Sequence, residues 1–491
     1  MSRNIIIFVF LLFIVVLKLK SYVYADWPMA GHDPQRSSYA SEDEIPDART
    51  PIWHVTFESY IPSKAHLITV DRSSTDNPSM VYVPTDDGVY ALDSQTGEEL
   101  WHYPTTMPVG HSPTVVDDVM YIPVMDKTIH AVNALDGQKI WQTDRAGGGF
   151  TTSPLVINGI VYAGSHDGYF YAFNKEKGAY IWSVDTGGPI RYSAAYDDET
   201  NTIYFASNDM YAYAVDSTHG TVRWKQGPFP GDGFTTYWPV VFQDRVVFSR
   251  SANYPSSMSQ DLNQTTARAV FNGEPLLFPT ASLAGVSDID ATRFSQWLTE
   301  DPDRQTVYVL DKTTGEETDI APILWWGNSS GNRYPPVVGP ENRLWFLSMW
   351  NDSSWFGGGR YAGWVPGSHQ LRLEPAADSG TESADEPEAI SIVGTTEPRL
   401  YHTDGGDGAD KGGVIALNGG YSNMWTWFTY YNAFGDYTSR WRRLKYGLGV
   451  SLVPSDPWGS TTGTHGYQNP PVPLGNKVYF HRSNTVICLS P

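Results

Sequence analysis

The sequence predicts an all-β fold: an eight-bladed β-propeller of four-stranded antiparallel blades, closed by pairing of its N- and C-terminal strands. Three observations carry the prediction. One signature recurs four times, with Trp-to-Trp steps of 40, 41 and 42 residues, and self-similarity at such a period marks stacked units that cannot bury a core alone. The residues between the markers form short β-rich runs separated by turn chemistry. The two ends of the chain each read as part of one further unit.

The signature is Asp, then Ala five residues on, Asp or Asn two later, Gly four later and Trp four later. Its copies are Asp86-Ala91-Asp93-Gly97-Trp101, Asp126-Ala131-Asn133-Gly137-Trp141, Asp167-Ala172-Asn174-Gly178-Trp182 and Asp209-Ala214-Asp216-Gly220-Trp224. Runs such as Met120–Val124 and Thr128–Val132 hold the branched and aromatic residues that suit a pleated, half-buried strand. Asp86-Asp87-Gly88 and Asp167-Gly168 are hairpin turns, and the glycine of the Gly97 series takes the left-handed position of the next turn. Each unit is therefore four antiparallel strands, one blade. The recurring Trp, in register with a small Ala, is a flat ring packed between neighbouring blades. Trp101, Trp141, Trp182 and Trp224 hold this structural role, and Trp53 joins them below.

The run Ala-Leu-Asp-Ser-Gln-Thr-Gly-Glu-Glu-Leu-Trp at 91–101 resembles the tryptophan-docking motif of the PQQ-like (pyrroloquinoline-quinone-type) propellers, a family that includes quinoprotein dehydrogenases and the non-catalytic BamB-like assembly propellers. Asp26-Trp27-Pro28-Met29-Ala30-Gly31-His32-Asp33-Pro34-Gln35-Arg36-Ser37 is similar to the leader strands that open many of them. The resemblance is sharp over residues 81–226. A WD-repeat reading fails because no Trp-Asp pair ends the units.

Later copies are degraded. Asp311-Lys312-Thr313-Thr314-Gly315 repeats the turn without a Trp four residues on, and Trp325 or Trp326 is offered in its place. Ala416-Leu417-Asn418 with Trp425 makes another unit, and Tyr334–Pro375 a weak one whose loss leaves seven blades. At the C-terminus Val486-Ile487-Cys488-Leu489-Ser490 aligns with Val89-Tyr90-Ala91-Leu92-Asp93, after which the chain stops. A blade lacking its last strand exposes an edge, and Pro51-Ile52-Trp53-His54-Val55 aligns with that missing strand. The ends should pair, with 467–491 giving three strands and 51–57 the fourth. Cys488, the only cysteine, then holds the Ala position as a buried, inert thiol. One cysteine forms no internal disulfide, which excludes the adjacent-cysteine ring that the resemblance implies for many alcohol-oxidising members.

Arg3, the apolar run Ile5–Leu17 and Val23-Tyr24-Ala25 before Asp26 read as a signal peptide over 1–25, an uncleaved anchor being the alternative. The expected product is exported, periplasmic or extracellular, without a membrane span after cleavage, and residues 26–491 form a single propeller domain. The formal charge of −21 disfavours nucleic acid and anionic membranes as partners. Residues 253–303 and the acidic loop 374–388 break the repeat and read as surface excursions. Asn263, Asn328 and Asn351 head glycosylation sequons.

The loops that deliver the chain into each innermost strand align, and they place His111, Arg191, Tyr192, Tyr237, Trp238, Arg333, Tyr334 and Tyr467 around the central funnel. Two arginines among aromatics suit an anionic or polyhydroxylated ligand; plugging of the funnel by the same side chains is the bland alternative. By resemblance, a quinoprotein stacks PQQ on a Trp, clamps it with Arg and binds a calcium through Glu and Asn, with an Asp as base. Trp238 with Arg191 or Arg333 imitates part of that site, but these loops offer Asn332 and Asn469 and no carboxylate, which argues against hydride chemistry. Ten of 18 tryptophans lie beyond residue 324, compatible with a buried core or with an aromatic face for sugars or proteins. Asp404, Asp407 and Asp410 form a weak calcium loop. The sequence thus reads as an exported, non-catalytic module that binds a protein partner, polysaccharide or small-molecule ligand and requires no cofactor. The competing readings are a PQQ- and calcium-dependent oxidoreductase acting on alcohols or sugars, and a carbohydrate-binding or carbohydrate-processing propeller.

Overall fold

The structure, a computed structural model, describes residues 26–41, 50–62, 65–231, 233–234, 237–250, 270–271, 274–275, 285–288, 291–302, 305–321, 335–350, 358–368, 370–373, 390–394, 398–404, 411–417, 425–427, 470–482 and 484–490. The blades follow chain order. Blade one is Ile68–Val70, Met80–Thr85, Gly88–Asp93 and Glu99–Pro104; blade two is Thr114–Val116, Val119–Val124, Thr128–Asn133 and Lys139–Gln142. Blade three is Leu155–Ile157, Ile160–Gly164, Tyr169–Asn174 and Tyr180–Asp185; blade four is Ala195–Asp197, Thr202–Ala206, Ala212–Asp216 and Val222–Gln226. Blade five is Val240–Phe242, Arg245–Ser249, Val307–Asp311 and Glu317–Asp319, and blade six is Val337–Gly339, Arg343–Trp350, Gly358–Trp364 and Gln370–Leu373. Blade seven is Ile390–Val393, Arg399–Asp404, Lys411–Ala416 and Trp425–Trp427. Blade eight takes Val472–Leu474, Lys477–Arg482 and Thr485–Ser490 from the C-terminus and Thr50–Thr56 from the N-terminus. Eight blades are present, and the degraded sixth unit is a full one.

Closure follows the expected register: Trp53 lies opposite Cys488, and Cys488 opposite Tyr479. The same three-residue row crosses other blades. Tyr82-Ala91-Trp101, Tyr121-Ala131-Trp141, Tyr162-Ala172-Trp182 and Tyr204-Ala214-Trp224 are all directly opposed. A small central residue lets the Tyr and Trp rings meet across it, with centroids 5.6 Å apart for Tyr162 and Trp182 and 5.8 Å for Tyr82 and Trp101. Each indole then reaches the next blade. A Cβ on Gly178 would lie 2.5 Å from the Trp141 ring, and one on Gly220 2.7 Å from that of Trp182. These glycines also hold φ of +66° and +73°, so the turn requires glycine for both its backbone and its lack of a side chain. The indole nitrogens of Trp141, Trp182 and Trp224 donate to the carbonyls of Lys175, Thr218 and Lys312 in the same turns.

Three details differ from the sequence reading. In blade seven Val414, not Ala416, sits between Tyr401 and Trp425. In blade five Asp319 stands in the Trp register opposite Val309, while Trp325 and Trp326 lie outside the described residues. The insert 253–303 is more than a surface excursion: Gly285–Asp288 adds a fifth antiparallel strand to the outer edge of blade six. The helix Ala291–Glu300 that follows buries Phe294, Trp297 and Leu298 against Phe242, Leu344 and Trp364. The acidic loop 374–388 and the signal segment 1–25 lie outside the described residues, as do Asn263, Asn328 and Asn351.

Cys488 is buried, and burial pushes its thiol up to about 12. Ala occupies its register position in blades one to four, so Cys488→Ala should cost no more than about 1 kcal/mol. A thiol-specific disulfide reagent should label Cys488 only as the protein unfolds in urea. Full labelling of the folded protein within minutes contradicts this packing.

Candidate functional site

The innermost strand of each blade has one edge without a blade partner, facing the central channel. Its amides need acceptors, because an unmade backbone hydrogen bond in a buried channel is costly. The leader, residues 26–41, supplies them. Trp27 exchanges both backbone bonds with Thr69 of blade one (2.9 and 3.1 Å), and Val115 of blade two donates to the Pro28 carbonyl (2.8 Å). Tyr196 of blade four donates to Pro34 (2.7 Å), Val241 of blade five to Gln35 (3.0 Å) and Val338 of blade six to Ser37 (2.9 Å). Tyr39–Ala40 then pairs in parallel with blade seven, where Ile392 donates to Ser38 (3.1 Å). Pro28 and Pro34 suit this path, since each offers a carbonyl and carries no amide hydrogen needing a partner.

Arg36 ties the leader to blade three. Its Nη2 donates to the Ser153 carbonyl of blade three (3.2 Å), its Nε to the Ala194 carbonyl beside blade four (2.9 Å), and its Nη1 to the Ala30 carbonyl of the leader itself. The guanidinium lies 5.8 Å from the Trp238 ring centroid. It is fully buried, and burial pulls its pKa down to about 9, with Asp33 opposing, so it stays charged at neutral pH.

Trp238 is the centre of this cluster. It has no exposed surface. His66 meets it edge-on at 5.0 Å, Tyr237 at 5.6 Å and His111 at 6.3 Å. A Cβ on Gly31 of the leader would lie 3.0 Å from the indole. His66 donates its amide to the Ser112 hydroxyl (2.6 Å), and the His111 Nδ1 accepts from the Ser112 amide (2.8 Å). Burial first, then electrostatic repulsion from His111, His481 and Arg36, holds the His66 pKa well below its ordinary 6.5, so its imidazole is neutral at pH 7.

Of the sequence candidates, His111, Tyr237 and Trp238 come together at the channel axis. Tyr192 turns away: its hydroxyl accepts from the Ser249 amide (3.1 Å), and its ring packs on Phe234 and Phe248 between blades four and five. Arg191, one residue earlier, is exposed. Arg333, Tyr334, Tyr467, Asp407 and Asp410 lie outside the described residues, and Asp404 ends a blade-seven strand opposite Lys411. No group of His, Cys, Asp and Glu suited to a metal ion occurs among the described residues. Sequence reasoning missed Arg36, His66 and His481. The available signal was Arg36 itself, a cation in a leader whose prolines mark it as extended.

The sequence matches the family described as outer membrane protein assembly factor BamB over residues 46–151 and 85–318. The chain belongs to this PQQ-like propeller family. Its fold is similar to BamB from Moraxella catarrhalis, at 10% identity and a TM-score of 0.50 over 90% of this chain and 97% of that one. It is also similar to quinohemoprotein alcohol dehydrogenase from Comamonas testosteroni, at 14% identity and 0.56 over 95% and 80%. A europium-containing methanol dehydrogenase aligns at 12% identity and 0.55 over 93% and 89%. Such identities show a shared fold, and that fold hosts both assembly proteins and enzymes. No curated protein matches the sequence.

Proposed function

We propose that this propeller is an exported, non-catalytic module that binds a ligand or a partner protein. The complete burial of Trp238 carries the reading. A quinone cofactor stacked on this ring needs one open face, and Gly31, His66, Tyr237 and Arg36 all pack around it. The residues present do not fit PQQ: seating it there requires the leader to leave seven blades' worth of contacts. Arg191, the clamp offered by the neighbouring loop, is exposed. The assembly-factor description of the family matched over residues 46–151 and 85–318 supports the same reading. Export rests on the apolar run Ile5–Leu17 and the small residues before Asp26. No helix among the described residues is long and apolar enough to cross a membrane.

The test uses the purified full chain with PQQ and calcium. Neither saturable quenching of tryptophan emission nor reduction of an artificial electron-acceptor dye with alcohols or aldoses is expected. Saturable quenching together with turnover makes the chain an oxidoreductase and ends this reading.

A further inference from the structure

Internal repeats let one blade serve as a control for another, and blade three differs from blade four in the residue opposite its inner tyrosine, in an added Asp185, and in the Gly147 and Gly148 amides that donate to Asp167. In blades one to four the residue before the small central one is aromatic: Tyr90, His130, Tyr171 and Tyr213. Directly opposite, on the outer strand, stand His102, Gln142, Ser183 and Lys225. Three of the four lay their own side chain over the aromatic group or its polar support. His102 stacks on Tyr90 at 3.9 Å and an interplanar angle of 2°, with Nε2 3.8 Å from Asp87. Gln142 donates to the Thr128 hydroxyl (3.0 Å) that in turn holds His130 (2.8 Å). Lys225 places its ammonium 3.9 Å from the Tyr211 centroid, 5.0 Å from that of Tyr213 and 3.1 Å from Asp209.

Blade three repeats the blade-four cup residue for residue: Asp167-x-Tyr169-x-Tyr171-Ala172 against Asp209-x-Tyr211-x-Tyr213-Ala214. The two tyrosine rings lie 5.9 Å apart, and the Tyr171 hydroxyl donates to Asp167 (2.8 Å) as Tyr213 does to Asp209. Where Lys225 fills the cup in blade four, blade three has Ser183, whose hydroxyl instead lies 3.2 Å from that of Tyr180 on the same strand. Blade three also gains a carboxylate: Asp185 is exposed and lies opposite Tyr169, at the spacing where blade four has Gly227. Tyr169 and Tyr180 are 36% and 60% exposed, with Ile181 beside them at 41%. Among the described residues no ion pair engages Asp167 or Asp185.

We propose that the Tyr169-Tyr171-Asp167-Asp185 cup of blade three binds a lysine side chain of a partner protein, in the pose that Lys225 adopts on blade four. The proposal rests on the reading of the chain as a binding module and names the chemistry of its partner. An ammonium over tyrosine faces, next to carboxylates, gains cation–π and charge-assisted hydrogen-bond energy together. A chain of charge −21 draws a basic segment toward this face, and Tyr180 and Ile181 give its neighbouring residues apolar contact.

The probe is the peptide Gly-Ser-Lys-Ser-Gly, titrated into the full-length protein by saturation-transfer NMR beside the same peptide acetylated on its lysine. The free-amine peptide should bind at one site and the acetylated one at least about tenfold more weakly. Ser183→Lys fills the cup from within and should weaken binding about tenfold, and Ser183→Gln, imitating blade two, should do the same without adding charge. Lys225→Ser opens the blade-four cup and should raise the stoichiometry from one to two. Glu98→Lys, a larger charge change in an exposed turn of blade one, should leave binding unaltered, which separates the cup from general acidity. Equal binding of the acetylated peptide, or wild-type binding by Ser183→Lys with an unchanged melting temperature, overturns the proposal. Failure here with PQQ also silent removes the lysine cup alone; turnover with PQQ removes the module reading whatever the peptide does.

Discussion

Trp182→Ala should destabilise the ring by about 3–5 kcal/mol, the range for emptying a buried indole site. That is a large share of the roughly 5–15 kcal/mol by which folded domains are stable. Trp182 is 9% exposed, sits opposite Ala172, meets Tyr162 at 5.6 Å and donates to Thr218 of the next blade at 3.0 Å. Its loss leaves a cavity at a joint between two sheets, and neither sheet can collapse into it without breaking its own ladder. A fall in the urea midpoint at constant slope reads the effect. The partner substitution, Gly220→Ala, should cost about 2–3 kcal/mol, because a Cβ there meets the indole at 2.7 Å and the backbone sits at φ +73°. The double variant should lose less than the sum by about 1 kcal/mol, since removing the ring makes room for the new methyl. Strict additivity would mean that ring and turn do not share one packed joint.

This joint explains why so much of the fold was legible in the sequence. A Trp, a small residue and a glycine are each costly to replace, so they persist at fixed spacing and announce the blade. Where the joint is built otherwise the signal fades: Asp319 and Leu373 stand in the Trp register of blades five and six. The ring closure was legible because Trp53 and Cys488 keep the large-small pair. The fifth strand Gly285–Asp288 was not, because Gly-Val-Ser-Asp has no alternation to mark it and its pairing is set by the open edge of blade six. The funnel candidates separate in the structure. Trp238, Tyr237 and His111 converge, the adjacent pair because Tyr237 leaves the extended region at φ +68°. Arg191 is exposed, whereas Tyr192 packs between blades four and five, a divergence set by backbone conformation that residue types do not announce. The leader's path stayed hidden because it is held mostly by backbone bonds, which leave no residue-type signature.

Arg36 is the exception, and its removal is the second large expected effect. Arg36→Ala strands the carbonyls of Ala30, Ser153 and Ala194, all reached by one buried fork. It also removes a buried cation whose desolvation is already evident in its lowered pKa. These oppose each other: deleting an unpaired charge relieves strain, whereas orphaning three buried acceptors costs about 1–3 kcal/mol each before any relaxation. Three acceptors outweigh one desolvated cation, and the net loss should reach about 3–5 kcal/mol, as for breaking a buried charged network. Arg36→Lys should not restore it, because a point ammonium lacks the planar fork that spans both blades. The distinguishing readout is local. Limited proteolysis should cut within 26–41 in Arg36→Ala while the blades stay intact, and Trp238 emission should shift to the red as water reaches the freed ring. An Arg36→Ala protein within about 1 kcal/mol of wild type, its leader still protected, would show that the backbone bonds to the inner strands hold the plug without the guanidinium.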